Sequence, residues 1–131
     1  MNKTMQTRTD FPELNASLRL RVVFDDGVRL GPGKADLLGL IAEHGSIAAA
    51  GRAMKMSYKR AWMLVEEMNA AFKEPLVESS RGGSQGGGAH LTSTGREVLA
   101  AYRGMEQRLS AEASKELTFL KGLRVDVSGG K

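Results

Sequence analysis

A pair of adjacent helical segments constrains the fold of this chain more than any other feature of its sequence. The pair runs from Ser46 to Ala71. Ser46 is a favourable N-cap after Gly45, and the small residues from Ile47 to Ala50 predict a short, closely packed helix. Ser57 is a second N-cap and predicts a longer helix. The sequence therefore predicts two helices joined by a tight turn.

The second helix has one apolar and one charged face when residues are placed at about 100° intervals. Lys59 and Arg60 lie in its first turn and Glu66 and Glu67 further along, the reverse of what the helix dipole favours. A face that serves only solubility does not need cations there, whereas a helix start that meets phosphates and base edges does. An ordinary amphipathic helix with charges near its start is the alternative. The apolar face, which is expected to be buried, contains Ala61, Trp62, Leu64, Val65, Met68 and Phe72.

Composition limits the class of protein. The net charge of +4 and the isoelectric point near 9.6 permit binding to a polyanion without deciding it. A length of 131 residues and a hydrophobic content of 41% fit one domain with a small core. The absence of cysteine excludes disulfides and thiolate metal sites. The sequence has no apolar run of about 20 residues and no signal-peptide core, so a cytoplasmic location is expected.

The N-terminal part of the sequence predicts an arm and a short β-hairpin. Residues 1–15 are polar and lack periodicity, which is typical of a flexible arm. Alternation from Ser17 to Phe24 predicts a half-buried strand. The turn sequence Asp25-Asp26-Gly27 ends it, and Val28 to Leu30 is expected to be a short returning strand.

A further helix precedes the helical pair. Gly31-Pro32-Gly33 is expected to break the chain, and Lys34 to His44 then forms a helix that Gly45 closes. Three helices with such short connections indicate a compact unit of the helix-turn-helix kind.

A second hairpin is predicted after Pro75, which ends the third helix. Leu76 to Ser79 and Ala89 to Thr92 are expected to be antiparallel strands, and residues 80–88 between them are rich in glycine. Three helices followed by such a hairpin are typical of a winged helix. The expected fold is therefore mostly α with a small β component: a winged helix-turn-helix with a flanking N-terminal strand.

The last predicted helix runs from Ser93 to about Leu120, and residues 121–131 are expected to be a disordered tail. The helix is too long for a small core to cover, so a partner helix and a homodimer are expected. The alternative is that the helix folds back on the N-terminal strand of its own chain. On the homodimer prediction, residues 16–120 form a winged-helix DNA-binding domain that includes a dimerisation helix over about 93–120. The expected dimerisation residues are Leu18, Leu20, Val98, Tyr102, Met105, Leu109 and Leu117.

From Leu37 to about Tyr102 the sequence resembles the N-terminal DNA-binding domain of the molybdate-responsive transcriptional regulators, the ModE family. The resemblance is carried by the segments GSIAAAGRAMKMSYKRAW, EEMN, LVE, GGSQGGGAHLT and TGREVL. It implies a dimeric winged helix that binds a palindromic operator with one recognition helix in the major groove of each half-site. The recognition helix would be residues 57–72, and the wing, residues 80–89, would contact the backbone or minor groove.

The resemblance and the residue chemistry together assign roles in DNA binding. Arg60 is suited to the O6 and N7 atoms of guanine, whereas Lys59 is equally suited to a phosphate. Tyr58 lies on the core side of the helical wheel, and a core role and a DNA contact remain open for it; Trp62 is expected in the core. Arg81 is either a backbone contact or a solvated charge. The expected DNA-binding residues are Arg52, Lys55, Ser57, Tyr58, Lys59, Arg60, Arg81, Ser84 and Gln85.

The resemblance does not extend to a molybdate site. Full-length members of the family carry C-terminal oxyanion-binding domains, which the 131 residues do not include. The chain is thus expected to bind double-stranded DNA as a transcriptional regulator without a cofactor, and the resemblance implies a link to molybdenum metabolism. Molybdate binding through those domains is not carried over, and three alternatives stay open: constitutive DNA binding, a response through a separate partner, or an effector site elsewhere in the chain.

Other classes of function fit the sequence less well. The glycine-rich loop lacks the spacing of a phosphate-binding P-loop, and a strand follows it instead of a helix. The two histidines, His44 and His90, have no neighbouring His or Cys, so metal or hydrolytic chemistry is not expected. The main alternative is a winged helix that binds proteins. That use would favour aromatic and aliphatic residues on the exposed face of the recognition helix.

Overall fold

A computed structural model describes residues 15–80 and 88–125 of the chain. The fold is mostly α with a small β component, as predicted. No helix within the described residues is long and apolar enough to cross a membrane. The elements in chain order are β1 Val22–Val23, β2 Arg29–Leu30, α1 Pro32–His44, α2 Ile47–Ala53, α3 Tyr58–Ala71, β3 Val77–Ser80, β4 Gly88–Leu91, α4 Ser93–Glu112 and α5 Ser114–Gly122.

The first hairpin is much shorter than its sequence pattern predicts. Val22 pairs with Leu30 and Val23 with Arg29, in antiparallel register. Gly27 closes the turn in a left-handed conformation, with φ of 92°. The predicted strand over residues 17–24 is therefore wrong in extent, because only two of its residues have a partner strand.

Helix α1 begins at Pro32, two residues before the predicted start. Proline is accepted at this position because the first helical N–H has no partner within the helix in any case. The helix ends as predicted at Gly45, whose left-handed backbone lets its N–H bond to Ile41 O at 2.8 Å. Its inner residues Leu37, Leu38 and Ile41 are buried, as predicted.

The helix-turn-helix forms where the sequence places it. The Ser46 hydroxyl accepts a hydrogen bond from Ala49 N at 2.9 Å, and the Ser57 hydroxyl one from Arg60 N at 3.0 Å. A Cβ atom on Gly51 would lie 3.0 Å from the Cβ of Ala61, so α2 and α3 approach each other closely at this point. The two predicted N-caps are confirmed, and small residues set the distance between the helices.

The wing strands β3 and β4 are antiparallel, as predicted, and pair from Val77 with Leu91 to Ser80 with Gly88. Strand β3 lies one residue later than predicted, and β4 one residue earlier. Ala89 N donates to Gly45 O at 2.9 Å, which ties β4 to the connection between α1 and α2. The residues between the strands, 81–87, lie outside the described part of the chain.

One main core joins the three helices to the wing strands. Its completely buried members include Leu37, Leu38, Ile41 and Leu76. A second, smaller core contains Leu30, Ala35 and Tyr102, with Val98 and Met105 packed against it. Both cores lie within residues 19–106, which form one compact unit.

The predicted last helix is two helices. Helix α4 ends at Glu112, Ala113 interrupts the helix, and α5 continues to Gly122, beyond the predicted end. Residues 107–125 belong with residues 15–18 to a second compact unit. The large apolar side chains exposed in this unit are Leu109, Phe119, Leu120, Leu123 and Val125.

Candidate nucleic-acid interface

The outward face of α3 carries two cations and three large apolar side chains. Lys59 and Arg60 are exposed in its first turn. The exposed fractions are 56% for Tyr58, 45% for Trp62 and 47% for Met63. Two interpretations of the sequence change as a result. Tyr58 lies outside the core, and the prediction that Trp62 is buried is wrong.

The narrow buried stripe of α3 explains the exposure of Trp62. The buried residues Ala61, Val65 and Met68 follow one another at intervals of four and three. Trp62 is turned about 100° away from Ala61, beyond the edge of this stripe.

Four cations border the start of α3: Arg52 on α2, Lys55 in the turn, and Lys59 and Arg60 on α3. All four are exposed, and none takes part in the ion pairs formed within residues 15–80 and 88–125. Such cations are available to phosphates and base edges. The N–H groups at the start of α3 and its dipole favour an anion at the same place.

Lys55 holds the turn in an unusual backbone conformation. Its φ is 61°, in the left-handed region that residues with a Cβ seldom adopt. The N–H groups of Lys55 and Met56 bond back to the carbonyls of Arg52 and Gly51 at 2.9 and 3.0 Å. These bonds fix the direction in which α3 leaves the turn.

Asn69 connects the other end of α3 to the wing. Its Oδ1 accepts hydrogen bonds from Leu76 N at 2.8 Å and Val77 N at 3.1 Å. Its Nδ2 donates to Val77 O at 3.0 Å. Three of the four hydrogen-bonding positions of the amide are thus used in fixing the base of β3 relative to α3. Sequence reasoning noticed Asn69 only as part of the EMN segment and gave it no role.

The start of α4 holds the same segment from the opposite side. Thr92 N donates to Leu76 O at 2.9 Å, and the Thr92 hydroxyl donates to Pro75 O at 2.7 Å. Gly95 lies so close that a Cβ on it would be 2.1 Å from Leu76 O. The backbone at Leu76 is therefore fixed between Asn69 and the first turn of α4.

Comparison with known proteins agrees with this architecture. Residues 36–96 match the bacterial regulatory helix-turn-helix proteins of the lysR family. The molybdenum-pterin-binding protein MopB of Rhodobacter capsulatus is 40% identical over 100 residues, which are 76% of this chain and 36% of MopB. The molybdenum transport protein ModE of Azotobacter vinelandii is 41% identical over 88 residues, 67% of this chain and 33% of the relative.

A third relative is described as a regulator by its name. The DNA-binding transcriptional dual regulator ModE of Escherichia coli is 35% identical over 89 residues, 68% of this chain and 34% of the relative. The matched part of the chain is therefore a helix-turn-helix domain of the ModE type. The chain spans about a third of the length of the three relatives, which are 36%, 33% and 34% covered.

Six of the nine predicted DNA-binding residues of the ModE-type domain lie together around the start of α3. All six are exposed: Arg52, Lys55, the N-cap Ser57, and Tyr58, Lys59 and Arg60 in the first turn of α3. The other three, Arg81, Ser84 and Gln85, lie outside the described residues.

The predicted dimerisation residues differ in how deeply they are buried. Tyr102 is completely buried, and its hydroxyl donates to Leu20 O. Val98 and Met105 pack against the same small core. For Tyr102 the folded-back alternative holds, because its side chain leaves no exposed surface for a partner. The dimer contacts of the other six residues stay predictions. Leu109 is exposed, and Leu18, Leu20 and Leu117 are half-buried.

A network of charges surrounds this part of α4. Burial raises the pKa of the Tyr102 phenol, and the carboxylate of Glu106 adds to the effect. Burial disfavours the charge of Arg103, but hydrogen bonds to Asp36 and Glu106 outweigh this and raise its pKa. Asp36 also pairs with Arg19 at 3.3 Å. These residues serve the fold of the domain.

No cluster of His, Cys, Asp and Glu suited to a metal ion occurs within the described ranges. The imidazole of His90 lies 3.3 Å from Glu78 on the neighbouring strand, as part of the wing hairpin.

Proposed function

We propose that the chain is a sequence-specific, homodimeric regulator of transcription that inserts α3 into the major groove of double-stranded DNA. The observation that carries the proposal is the set of four exposed cations around the start of α3, in a domain of the ModE family. Each cation is outside the ion pairs of the described chain, so it is free to replace counterions on DNA.

The residues around the start of α3 have two roles in this proposal: some position the helix on the phosphates, and others read bases. The Ser57 hydroxyl accepts Arg60 N and still has its own hydrogen to donate to a phosphate. Arg52 and Lys55 precede the helix and supply phosphate contacts that set its register. Arg60 has the planar fork needed to bond O6 and N7 of guanine, and Lys59 binds either guanine or phosphate.

The wing adds a second contact in this proposal. Asn69 and Thr92 hold the base of β3 in a fixed position relative to α3. Arg81, Ser84 and Gln85 would contact the backbone or minor groove beside the half-site. Such contacts contribute affinity to all sequences about equally.

Dimerisation is assigned to the second unit of the chain. Its exposed apolar side chains Leu109, Phe119, Leu120, Leu123 and Val125 support contact with a second copy, because burial of such side chains is favourable. Two copies related by a two-fold axis would place one recognition helix in each half of a palindrome.

The names of the relatives link them to molybdenum. We propose that the genes controlled by this chain also serve molybdenum metabolism. We place the chain in the cytoplasm, where it would meet its DNA. Molybdate binding by the described residues forms no part of the proposal.

The test is selection of a bound sequence from random duplex DNA, at several salt concentrations and with and without molybdate. An enriched palindrome whose affinity falls with salt is expected. Enrichment of a single half-site would refute the homodimer, and enrichment of no sequence would refute specific recognition. A palindrome that is bound only with molybdate would show that an effector acts on the chain itself.

Binding of a protein through α3 is the second candidate function, and the structure gives it one specific argument. Tyr58, Trp62 and Met63 are exposed, whereas the sequence predicted only Met63 among large apolar residues on this face. Aromatic residues and methionine are enriched in protein interfaces. A chain that enriches no DNA sequence would favour this candidate.

A further inference from the structure

Trp62 has no explanation in the contacts to phosphate and guanine proposed above. Nearly half of the residue is exposed, and it lies two to three residues after the cations of α3. Isolated exposed apolar residues are ordinary on protein surfaces. Here, however, Tyr58, Trp62 and Met63 fall within six consecutive positions of the one helix that faces DNA in the proposed function.

The position of Trp62 around the helix indicates which part of the groove it meets. Tyr58, Trp62 and Asn69 lie within about 40° of one another on the helical wheel. Asn69 binds the backbone at the base of β3, so this flank of α3 is the one that faces the wing. When the first turn of α3 enters the groove, the side chain of Trp62 meets the groove wall on the wing side.

The carboxylate that follows Trp62 and the chemistry of the indole disfavour a phosphate as its contact. Lys59 precedes it by three residues and Arg60 by two, and the exposed carboxylate of Glu66 follows it by one turn on the outward face. Glu66 repels phosphates. The indole itself offers a single N–H donor and a large apolar surface.

The major groove presents one apolar group to such a surface. This group is the C5-methyl of thymine, which distinguishes thymine from cytosine at the same position of the base. The geometry points to Trp62 as a specificity-determining residue that packs its indole on a thymine methyl in each operator half-site. This inference rests on the proposed insertion of α3 into the major groove and adds the class of base that its second turn selects.

The first experiment changes the DNA and leaves the protein intact. In the selected operator, each thymine of a half-site is replaced in turn by deoxyuridine, which lacks only the methyl group. We expect a loss of affinity of about fourfold at one thymine, the value for one buried methyl group. Restoring the methyl at that position as 5-methylcytosine should bind more tightly than cytosine does.

The second experiment tests whether Trp62 is the residue that contacts the methyl group. Trp62→Ala should weaken binding to the thymine operator and abolish the deoxyuridine penalty at the same position. Lys59→Ala is the matched control, since it also weakens binding but should retain the full penalty. A penalty that is unchanged in Trp62→Ala would overturn the assignment, and so would equal affinity of wild type for thymine and deoxyuridine at every position.

A third measurement needs no variant. Trp62 is the one tryptophan of the sequence, so the intrinsic fluorescence reports on this residue alone. Adding operator DNA should reduce its quenching by acrylamide in the wild-type chain. Quenching that is unchanged in a saturated complex would contradict contact with DNA and support a protein partner on this flank. Failure of the proposed function is distinct, because the selection would then enrich no operator at all.

Discussion

The two halves of α3 differ in what holds them. In the C-terminal half, Asn69 makes three hydrogen bonds to the base of β3, Glu67 pairs with Lys34, and the ring of Phe72 meets that of Phe24 edge to face. In the N-terminal half, the side chains from Tyr58 to Arg60 are exposed, and those of Trp62 and Met63 are nearly half exposed.

This difference separates position from contact. The C-terminal half fixes α3 relative to α1, the first hairpin and the wing, while the N-terminal half keeps its side chains free for a ligand. Changes to exposed side chains of the N-terminal half are expected to alter binding alone. Changes in the C-terminal half are expected to alter stability.

The largest expected effect is at Gly95, which fixes the segment that Asn69 binds. Gly95→Ala would place a methyl group 2.1 Å from the backbone oxygen of Leu76, so α4 or β3 must move. We expect a loss of about 3 kcal/mol or more in the free energy of unfolding, measured by urea denaturation. Gly33→Ala is the matched control, because nothing lies within 4 Å of its added methyl. A loss below 1 kcal/mol for Gly95→Ala would show that α4 shifts at little cost.

The role of the N-terminal half of α3 in binding is tested by removing its two cations together. Lys59→Ala with Arg60→Ala should reduce affinity for the selected operator by about a hundredfold or more, since each cation contributes a contact. The free energy of unfolding should change by less than about 0.5 kcal/mol, because both side chains are exposed.

Arg29→Ala with Lys73→Ala is the control for that double variant. It removes the same net charge from exposed positions outside the helix-turn-helix. Equal loss of affinity in both double variants would mean that net charge, and not the position of Lys59 and Arg60, sets binding.

Asn69 is expected to affect stability and binding together. Asn69→Ala leaves three backbone groups of Leu76 and Val77 without their partner, and we expect a loss of about 2 kcal/mol from thermal or urea unfolding. Operator affinity should also fall, because the wing is no longer fixed to α3. Asn69→Asp keeps the acceptor oxygen and should lose less stability than Asn69→Ala does. An Asn69→Ala chain with unchanged affinity would show that the wing acts independently of α3.

The comparison also shows how far the sequence predicts this molecule. Local signals were sufficient for the caps Ser46 and Ser57, the helix-turn-helix and the wing strands to within one residue. They depend on neighbouring residues, and the structure confirms them. The grouping of six predicted DNA-binding residues at the start of α3 has the same origin, whereas their contacts with DNA stay predictions.

Long-range packing explains what the sequence did not predict. Periodicity placed Trp62 on the apolar face, but packing buries only the narrower stripe of Ala61, Val65 and Met68. The apolar stripe of α4 fits a partner helix or the chain's own core equally well. Tyr102 is buried in the core, where its hydroxyl donates to the carbonyl of Leu20, 82 residues away. Asn69 was missed because its partners, Leu76 and Val77, become neighbours only after the chain reverses beyond Pro75.

The smallest expected effect is at Lys55, in the turn that precedes α3. Its φ of 61° costs free energy that glycine would avoid, so Lys55→Gly should raise the free energy of unfolding by about 0.5 kcal/mol. The same change removes a cation that the proposed function places on a phosphate. The plot of log affinity against log salt should therefore lose about one unit of slope.

Lys55→Asn separates the two effects at this position. Asparagine tolerates the left-handed conformation but carries no charge, so it should reduce the salt slope as glycine does. If the salt slope remains that of the wild type in both variants, Lys55 makes no phosphate contact. If the stability of Lys55→Gly falls instead, the lysine side chain supports the turn. With the expected result, a lysine in a strained turn serves binding at the expense of stability.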